Sequence, residues 1–297
     1  MNRMTDVNNS ENDTSVNEEN DTQPEVDQHD DAALRMQQII NKPIHETTAG
    51  SFSVDNSNYW EIKDIPTNYR LYPEGTVIKA RPLKVIEVKK LSSMNDSNAD
   101  YVINDILKRT VQGINVDDIY LADKIYIVFW LRANTFRDSS YVIDFACPKC
   151  EKESKYNFQL SNLKINDLKD DYNPSKVITM DNGDGVTMRY LTIKDEIMFD
   201  RFKELNENTL EEIDDELLGL SCMINTINGK STDDMLERYN YVLNVLSPGD
   251  FSTLSTYVEE YGIGIDPVMN VTCLECGGNA PMGVTFRPDF FLPKRSA

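Results

Sequence analysis

Two cysteine pairs carry the clearest chemical pattern in this chain: Cys147-Pro148-Lys149-Cys150 and Cys273-Leu274-Glu275-Cys276. A Cys-x-x-Cys turn sets two thiolates close enough to grip one metal ion, and a second such turn completes the four-sulfur tetrahedron that Zn²⁺ prefers. Redox-active disulfides and unligated thiols are the other readings of such pairs. The flanks favour the metal. Strand-like Tyr141-Val142-Ile143-Asp144-Phe145 leads into the first pair, and Val268-Met269-Asn270-Val271-Thr272 leads into the second. An extended segment ending in a Cys-x-x-Cys turn is half of a zinc-ribbon site. The 122 residues between Cys150 and Cys273 far exceed the roughly 15–20 of an ordinary ribbon. A site made by Cys147, Cys150, Cys273 and Cys276 would therefore join distant parts of the chain, with the cysteines as structural ligands of Zn²⁺ and not as nucleophiles.

Beyond the cysteines, composition excludes several kinds of chemistry. Only His29 and His45 are available, both in a polar N-terminal stretch, so the folded region offers no histidine for a Ser-His-Asp or Cys-His arrangement or for a catalytic metal. A net charge of −20 argues against nucleic acid, whose binding relies on clustered Lys and Arg displacing counterions. Glu211-Glu212, Asp214-Asp215-Glu216 and Glu259-Glu260 read as solvated helix faces and not as acid-base pairs. Asp181-Asn182-Gly183-Asp184-Gly185 lacks the spaced oxygens and terminal Glu of a calcium loop and reads as a hairpin-type turn. No phosphate-cradling glycine loop or dinucleotide fingerprint is present. No apolar run reaches membrane-span length and no signal-peptide core is seen, so a soluble, unexported protein is expected. The fifth cysteine, Cys222, falls in an apolar helical run where a small buried residue fits.

The elements that must position the cysteines form an α+β pattern. Residues 1–57 read as a disordered acidic tail, because ten acidic residues and one basic residue (Arg3) lie between Met1 and Ala32, with little to bury. Within it, residues 32–40 have helix-forming composition, read either as a transient helix or as a motif that folds into a partner's groove. Strands are expected over 76–83, 156–160, 186–191 and 282–286. Helices are expected from 84, over 101–111 with Gly113 as a cap, from 123, over 194–205, over 210–227 and over 235–246. A last helix opens at Ser247-Pro248-Gly249-Asp250.

The order of elements repeats. An offset of 108 places Arg81, Leu83 and Val85 on Arg189, Leu191 and Ile193, and an offset of 116 places Gly113 and Asp117-Asp118 on Gly229 and Asp233-Asp234. Asp123 falls on Asp250, with an extra helix inserted in the later passage. An offset of 126 places Cys147 and Cys150 on Cys273 and Cys276. The reading is therefore two tandem, divergent strand–helix–strand repeats, residues 58–172 and 173–297, each bringing half of a shared zinc-ribbon-like site.

These residues resemble the baseplate hub assembly family of T-even-type contractile-tailed phages. The resemblance runs over roughly residues 59–292. It rests on the lead-in from Ile65-Pro66 to Leu71-Tyr72-Pro73-Glu74-Gly75, on Arg81-Pro82-Leu83, and on an apolar helix before Cys147-Pro148-Lys149-Cys150. It continues in Arg189-Tyr190-Leu191-Thr192, in Gly262-Ile263, and in Cys273 to Gly277. The long acidic tail departs from the pattern, as does Pro66-Thr67-Asn68-Tyr69-Arg70 where a Pro-Ser-x-Gly type of turn is expected. The resemblance implies a non-enzymatic tail structural or assembly protein. Its partners would be other hub and baseplate proteins, and it would act in the host cytoplasm during assembly, either staying in the finished tail or leaving after assembly. Two other readings are a zinc-ribbon regulator contacting the transcription machinery and a metalloenzyme.

Overall fold

The computed structural model describes residues 59–95, 97–136, 140–159, 164–206, 213–266 and 268–283. The expected tail, its 32–40 run and the end of the expected last strand lie outside the described residues.

The fold is a mixture of helices and short antiparallel strands. Trp60–Glu61 (β1) pairs with Lys79–Ala80 (β2), which pairs with Val111–Gln112 (β3). Between β2 and β3 the chain makes helices α1 (Val85–Leu91) and α2 (Ala99–Thr110). Helix α3 (Leu121–Thr135) follows and leads into a hairpin of β4 (Ser140–Ala146) and β5 (Glu153–Gln159). After the short strand β6 (Ile165–Asn166), the later passage forms a second three-stranded antiparallel sheet. In it Ile178–Thr179 (β7) lies beside Gly185–Met188 (β8), and β8 beside Ile224–Ile227 (β9). Helices α4 (Ile193–Asn206) and α5 (Asp215–Met223) lie between β8 and β9. Helices α6 (Met235–Asn244) and α7 (Pro248–Glu260) come next. Strand β10 (Gly264–Ile265) then pairs back with β6, and a hairpin of β11 (Val268–Thr272) and β12 (Asn279–Gly283) follows.

Helix starts follow local chemistry. Asp214 and Asp234 cap α5 and α6 by accepting from two backbone N–H groups each. Ser247 and Asp250 form a reciprocal capping box on α7, with Pro248 at the first helical position. Two more helices start in a shared manner. Arg81 forks onto Glu87 at 2.8 and 3.2 Å while the Lys84 N–H donates to that carboxylate at 2.5 Å. Arg189 forks onto Asp195 at 2.7 Å on both oxygens while the Thr192 N–H donates to it at 2.8 Å. In each case an arginine from the preceding strand segment neutralises the acid that caps the helix.

One apolar core gathers Ile62, Ile65, Ile78, Leu107, Ile119 and Ile127, and takes in Ile193 from the later passage; another gathers Val186, Met188, Ile224, Val242 and Leu254. The passages are also joined through backbone, since the Ile193 N–H donates to Ile119 O and the Leu121 N–H to Leu191 O, both at 2.9 Å. Asp123 is fully buried at the start of α3 and accepts from the Thr67 N–H at 3.1 Å, the Thr67 hydroxyl at 2.7 Å and the Tyr72 hydroxyl at 2.7 Å. This clamp holds the 65–75 lead-in, in which Asn68 and Tyr69 take φ of +50° and +61°. Tyr69 thus occupies the left-handed position where glycine was expected, and its hydroxyl is tied to Ile62 O at 2.5 Å.

Three expectations need correction. Among the described residues the helix expected over 210–227 spans Asp215–Met223 and stops there because Ile224, Thr226 and Ile227 pair with β8 and the Thr187 and Thr226 hydroxyls meet at 2.8 Å. β-Branched residues with a waiting strand partner override the helical stripe. The strand expected over 76–83 shrinks to Lys79–Ala80. Gly113 does not cap a helix: α2 ends at Thr110, and Gly113 has a φ of +94°, where a side-chain Cβ would lie only 1.9 Å from Val77 O. Gly113→Ala is therefore expected to cost about 3 kcal/mol, against about 1 kcal/mol for Gly183→Ala, since Gly183 has a similar φ of +88° but open space around it. Urea unfolding of both variants measures the difference.

Candidate metal centre

Both knuckles have the same local build. The Cys147 N–H donates to Lys152 O at 3.1 Å and the Glu151 N–H to Cys147 O at 2.8 Å. In the other knuckle the Cys273 N–H donates to Gly278 O and the Gly277 N–H to Cys273 O, both at 2.9 Å. The turn needs a left-handed residue after the second cysteine, and Glu151 and Gly277 supply it with φ of +59° and +67°. Each turn sits at the end of an antiparallel hairpin, so strand pairing fixes where its two sulfurs point.

The structure brings all four sequence-predicted residues together. The Sγ atoms of Cys147, Cys150, Cys273 and Cys276 lie within 4.8 Å of one another. Two close pairs cross between hairpins, at 3.8 Å for Cys147–Cys276 and 3.7 Å for Cys150–Cys273. A tetrahedron with metal–sulfur bonds of about 2.3 Å has edges of about 3.8 Å; these two distances match such an edge, and all four sulfurs lie near enough to close on one ion. Cys147 and Cys273 are buried among Val271, Ala280 and Met282, whereas Cys276 is exposed. Across the top, Lys152 reaches Glu275 at 2.7 Å and links the two knuckles.

The thiols of the first knuckle are shifted in opposite directions. Backbone N–H groups of Lys149 and Cys150 aimed at the sulfur bring the Cys147 thiol down to about 7. At Cys150 the Lys152 N–H favours the thiolate, but burial and the neighbouring sulfurs outweigh it and push the thiol up to about 12. Four thiolates at this spacing would repel one another; without a metal the cluster avoids this by keeping protons, and a divalent ion bound at the centre would take their place. Cys222 lies apart from the cluster, buried with its Sγ 3.7 Å from Met235 Sδ, and burial pushes its thiol up to about 11.

The Asp181–Asp184 segment forms the turn between β7 and β8, with the Met180 N–H donating to Asp184 O at 2.8 Å. The glutamates and aspartates from Asp214 to Glu216 lie at the start of α5, where Asp214 serves as its cap. Sequence reasoning matched Arg81 with Arg189 but missed the acids they hold; an acidic residue six positions after each arginine was the available signal. Among the described residues no helix is long and apolar enough to cross a membrane.

No curated protein and no solved structure matches this chain. The family model described as T4 bacteriophage base plate protein matches residues 62–291, a span that contains both cysteine pairs and well over half of the sequence. The chain belongs to that phage base plate protein family.

Proposed function

We propose that this protein is a non-enzymatic structural or assembly subunit of the baseplate hub that docks other hub and baseplate subunits, and that Cys147, Cys150, Cys273 and Cys276 hold one structural Zn²⁺. The observation that carries the reading is the four-sulfur cluster itself. All four positions around the centre are protein ligands, which leaves none open for substrate, as structural zinc sites require and catalytic ones do not. Membership of a base plate family supplies the class of partner.

We also read residues 58–172 and 173–297 as tandem copies. In support, the helix-starting clusters of Arg81 with Glu87 and of Arg189 with Asp195 are related by one offset, 108. The knuckle hydrogen bonds are related by another, 126. On this reading each copy contributes a three-stranded sheet and half of the metal site. The metal is not the sole tie between copies, because the β6–β10 ladder and the Lys124–Glu196 pair at 2.6 Å also join them.

The test is co-expression with each hub and baseplate protein of the same phage, followed by gel filtration and mass spectrometry of purified tails. A stable complex with at least one of them is expected. Failure to bind any of them, with recovery of a polymerase complex instead, would replace this reading with that of a transcription regulator.

A further inference from the structure

The contact between the two repeats runs in one direction, and it leaves one edge of each repeat without its counterpart. Thr192, just before α4, lies antiparallel to Tyr120, just before α3, through the bonds from the Ile193 N–H to Ile119 O and from the Leu121 N–H to Leu191 O. Ile193 is fully buried there in the core of the first repeat. Lys124, only 2% exposed, donates to both oxygens of Glu196 at 2.7 and 2.6 Å and to Asp100 at 3.1 Å, and Asn104 Nδ2 donates to Glu196 at 3.0 Å. The start of α4 in the second repeat thus docks on the start of α3 in the first.

The reverse pairing would use the start of α1 and the start of α7. Val85 and Ile193 each open their helix behind the same arginine–carboxylate cluster, so α1 is the counterpart of α4. Setting Asp123 on Asp250 makes α7 the counterpart of α3, with Tyr120 and Ser247 just before the two helices. Both acids accept a backbone N–H from an earlier turn, that of Thr67 at 3.1 Å and that of Asp181 at 2.7 Å. These reverse edges are open. Val85 is 74% exposed where Ile193 is buried, and Val245, beside the Ile119 counterpart Leu246, is 51% exposed. Among the described residues neither the Val85 N–H nor Leu246 O has a hydrogen-bond partner, although their counterparts bond to each other. The ion pair has also changed on both sides at once, with Val88 at the place of Glu196 and Phe251 at that of Lys124. Both are half-buried against their own cores, and an apolar pair there meets without the desolvation cost of a charged one. Pro248 stands where Leu121 does and has no N–H, so one backbone bond of the two is available to this second contact.

We propose that this protein associates head to tail with itself, the start of α1 in one chain docking on the start of α7 in the next. Val85 would be covered as Ile193 is, its N–H would donate to Leu246 O, and Val88 would meet Phe251. The contact joins two different surfaces, so each assembly keeps a free edge at either end unless the rotation per step closes a ring. It rests on the tandem reading above and adds a second copy of this chain to the partners.

Analytical ultracentrifugation of the purified full chain, over rising protein and salt concentration, tests this. The wild type is expected to associate, and more tightly as salt is added, because a net charge of −20 opposes any self-contact. Val85→Asp and Pro248→Asp each place a carboxylate at the first position of a helix, where it is well tolerated. Each should weaken association at least ten-fold. A mixture of the two should form a dimer and nothing larger, since each variant keeps the edge that the other has lost. Metal content and circular dichroism establish that each variant is folded. A wild type that stays monomeric into the millimolar range, association that both variants keep, or a mixture that behaves like its parts would overturn the contact. Binding of other base plate subunits is measured separately and survives that failure. A crystal structure in which residues 81–88 do not superpose on 189–196 would remove the tandem reading itself, whereas a monomeric wild type whose helix starts do superpose overturns this contact alone.

Discussion

Changing any one of Cys147, Cys150, Cys273 or Cys276 to serine is expected to take bound zinc from one ion per chain to none. Three thiolates and a hydroxyl do not make a closed tetrahedral shell, and binding energy in small structural zinc sites is on the order of 10–16 kcal/mol near neutral pH. Losing even part of that is expected to cost about 5 kcal/mol or more, a large share of an ordinary domain's stability. Because the close sulfur pairs cross between hairpins, a substitution in either knuckle should loosen both β4–β5 and β11–β12. The α3–α4 region should hold better, since Ile119, Leu121, Leu191 and Ile193 are joined by backbone bonds that need no metal. Chelation of the wild type should reproduce the pattern, and Cys222→Ser should keep its zinc. Metal analysis with hydrogen exchange on the five variants decides the matter. A metal-free wild type that is fully folded would sink the assignment, and two ions per chain would mean separate sites.

Asp123→Ala should be the most damaging substitution away from the cysteines, at about 4 kcal/mol. It removes the acceptor for the Thr67 N–H, the Thr67 hydroxyl and the Tyr72 hydroxyl at once, all in a region closed to water. Tyr72→Phe removes one of those bonds and should cost about 1–2 kcal/mol. The pH dependence has a definite sign. Burial raises the Asp123 carboxyl above its usual value of 3.8, against the pull of its hydrogen bonds. The folded state therefore holds that proton more tightly than the unfolded chain does. Its contribution is greatest below the unfolded value and is lost as pH rises through the folded one. Asp195 runs the other way: burial opposes its charge, but Arg189 and the Thr192 N–H outweigh that and hold it below the usual range. Its contribution is present at neutral pH and lost as pH falls through the depressed value. Urea unfolding of wild type, Asp123→Asn and Asp195→Asn across the acid range separates the two. A wild-type-minus-Asp123→Asn difference that grows with pH would contradict the first sign.

The cysteine cluster was legible because its chemistry lies in residue type and spacing, and strands before both pairs could be read from β-branched and aromatic runs. Helix α7 was equally legible, since Ser247, Pro248 and Asp250 each have one structural use at a helix start. What failed was competition between elements. Ile224–Ile227 continues the apolar stripe of α5, and only the presence of β8 makes it a strand. Gly113 has the composition of a helix stop, yet its reason for being glycine is the carbonyl of Val77, 36 positions earlier in the chain. The Asn104–Glu196–Lys124–Asp100 network was not legible at all. Its members come from three helices, and in sequence each reads as an ordinary helix-surface residue.

The crossing of the sulfur pairs has a kinetic side. Each knuckle closes on its own within a hairpin, so each can form before the other has arrived and, on the proposed reading, would then offer two thiolates to an ion. The shared centre instead needs the ends of a 122-residue stretch to meet, and the entropy of that closure must be met before any of its bonds form. The order of events then depends on how much metal is present. If the centre holds one ion as proposed, scarce metal would let a loaded knuckle close on an empty one. Abundant metal would fill both knuckles first, and one ion would have to leave before the shared centre could form.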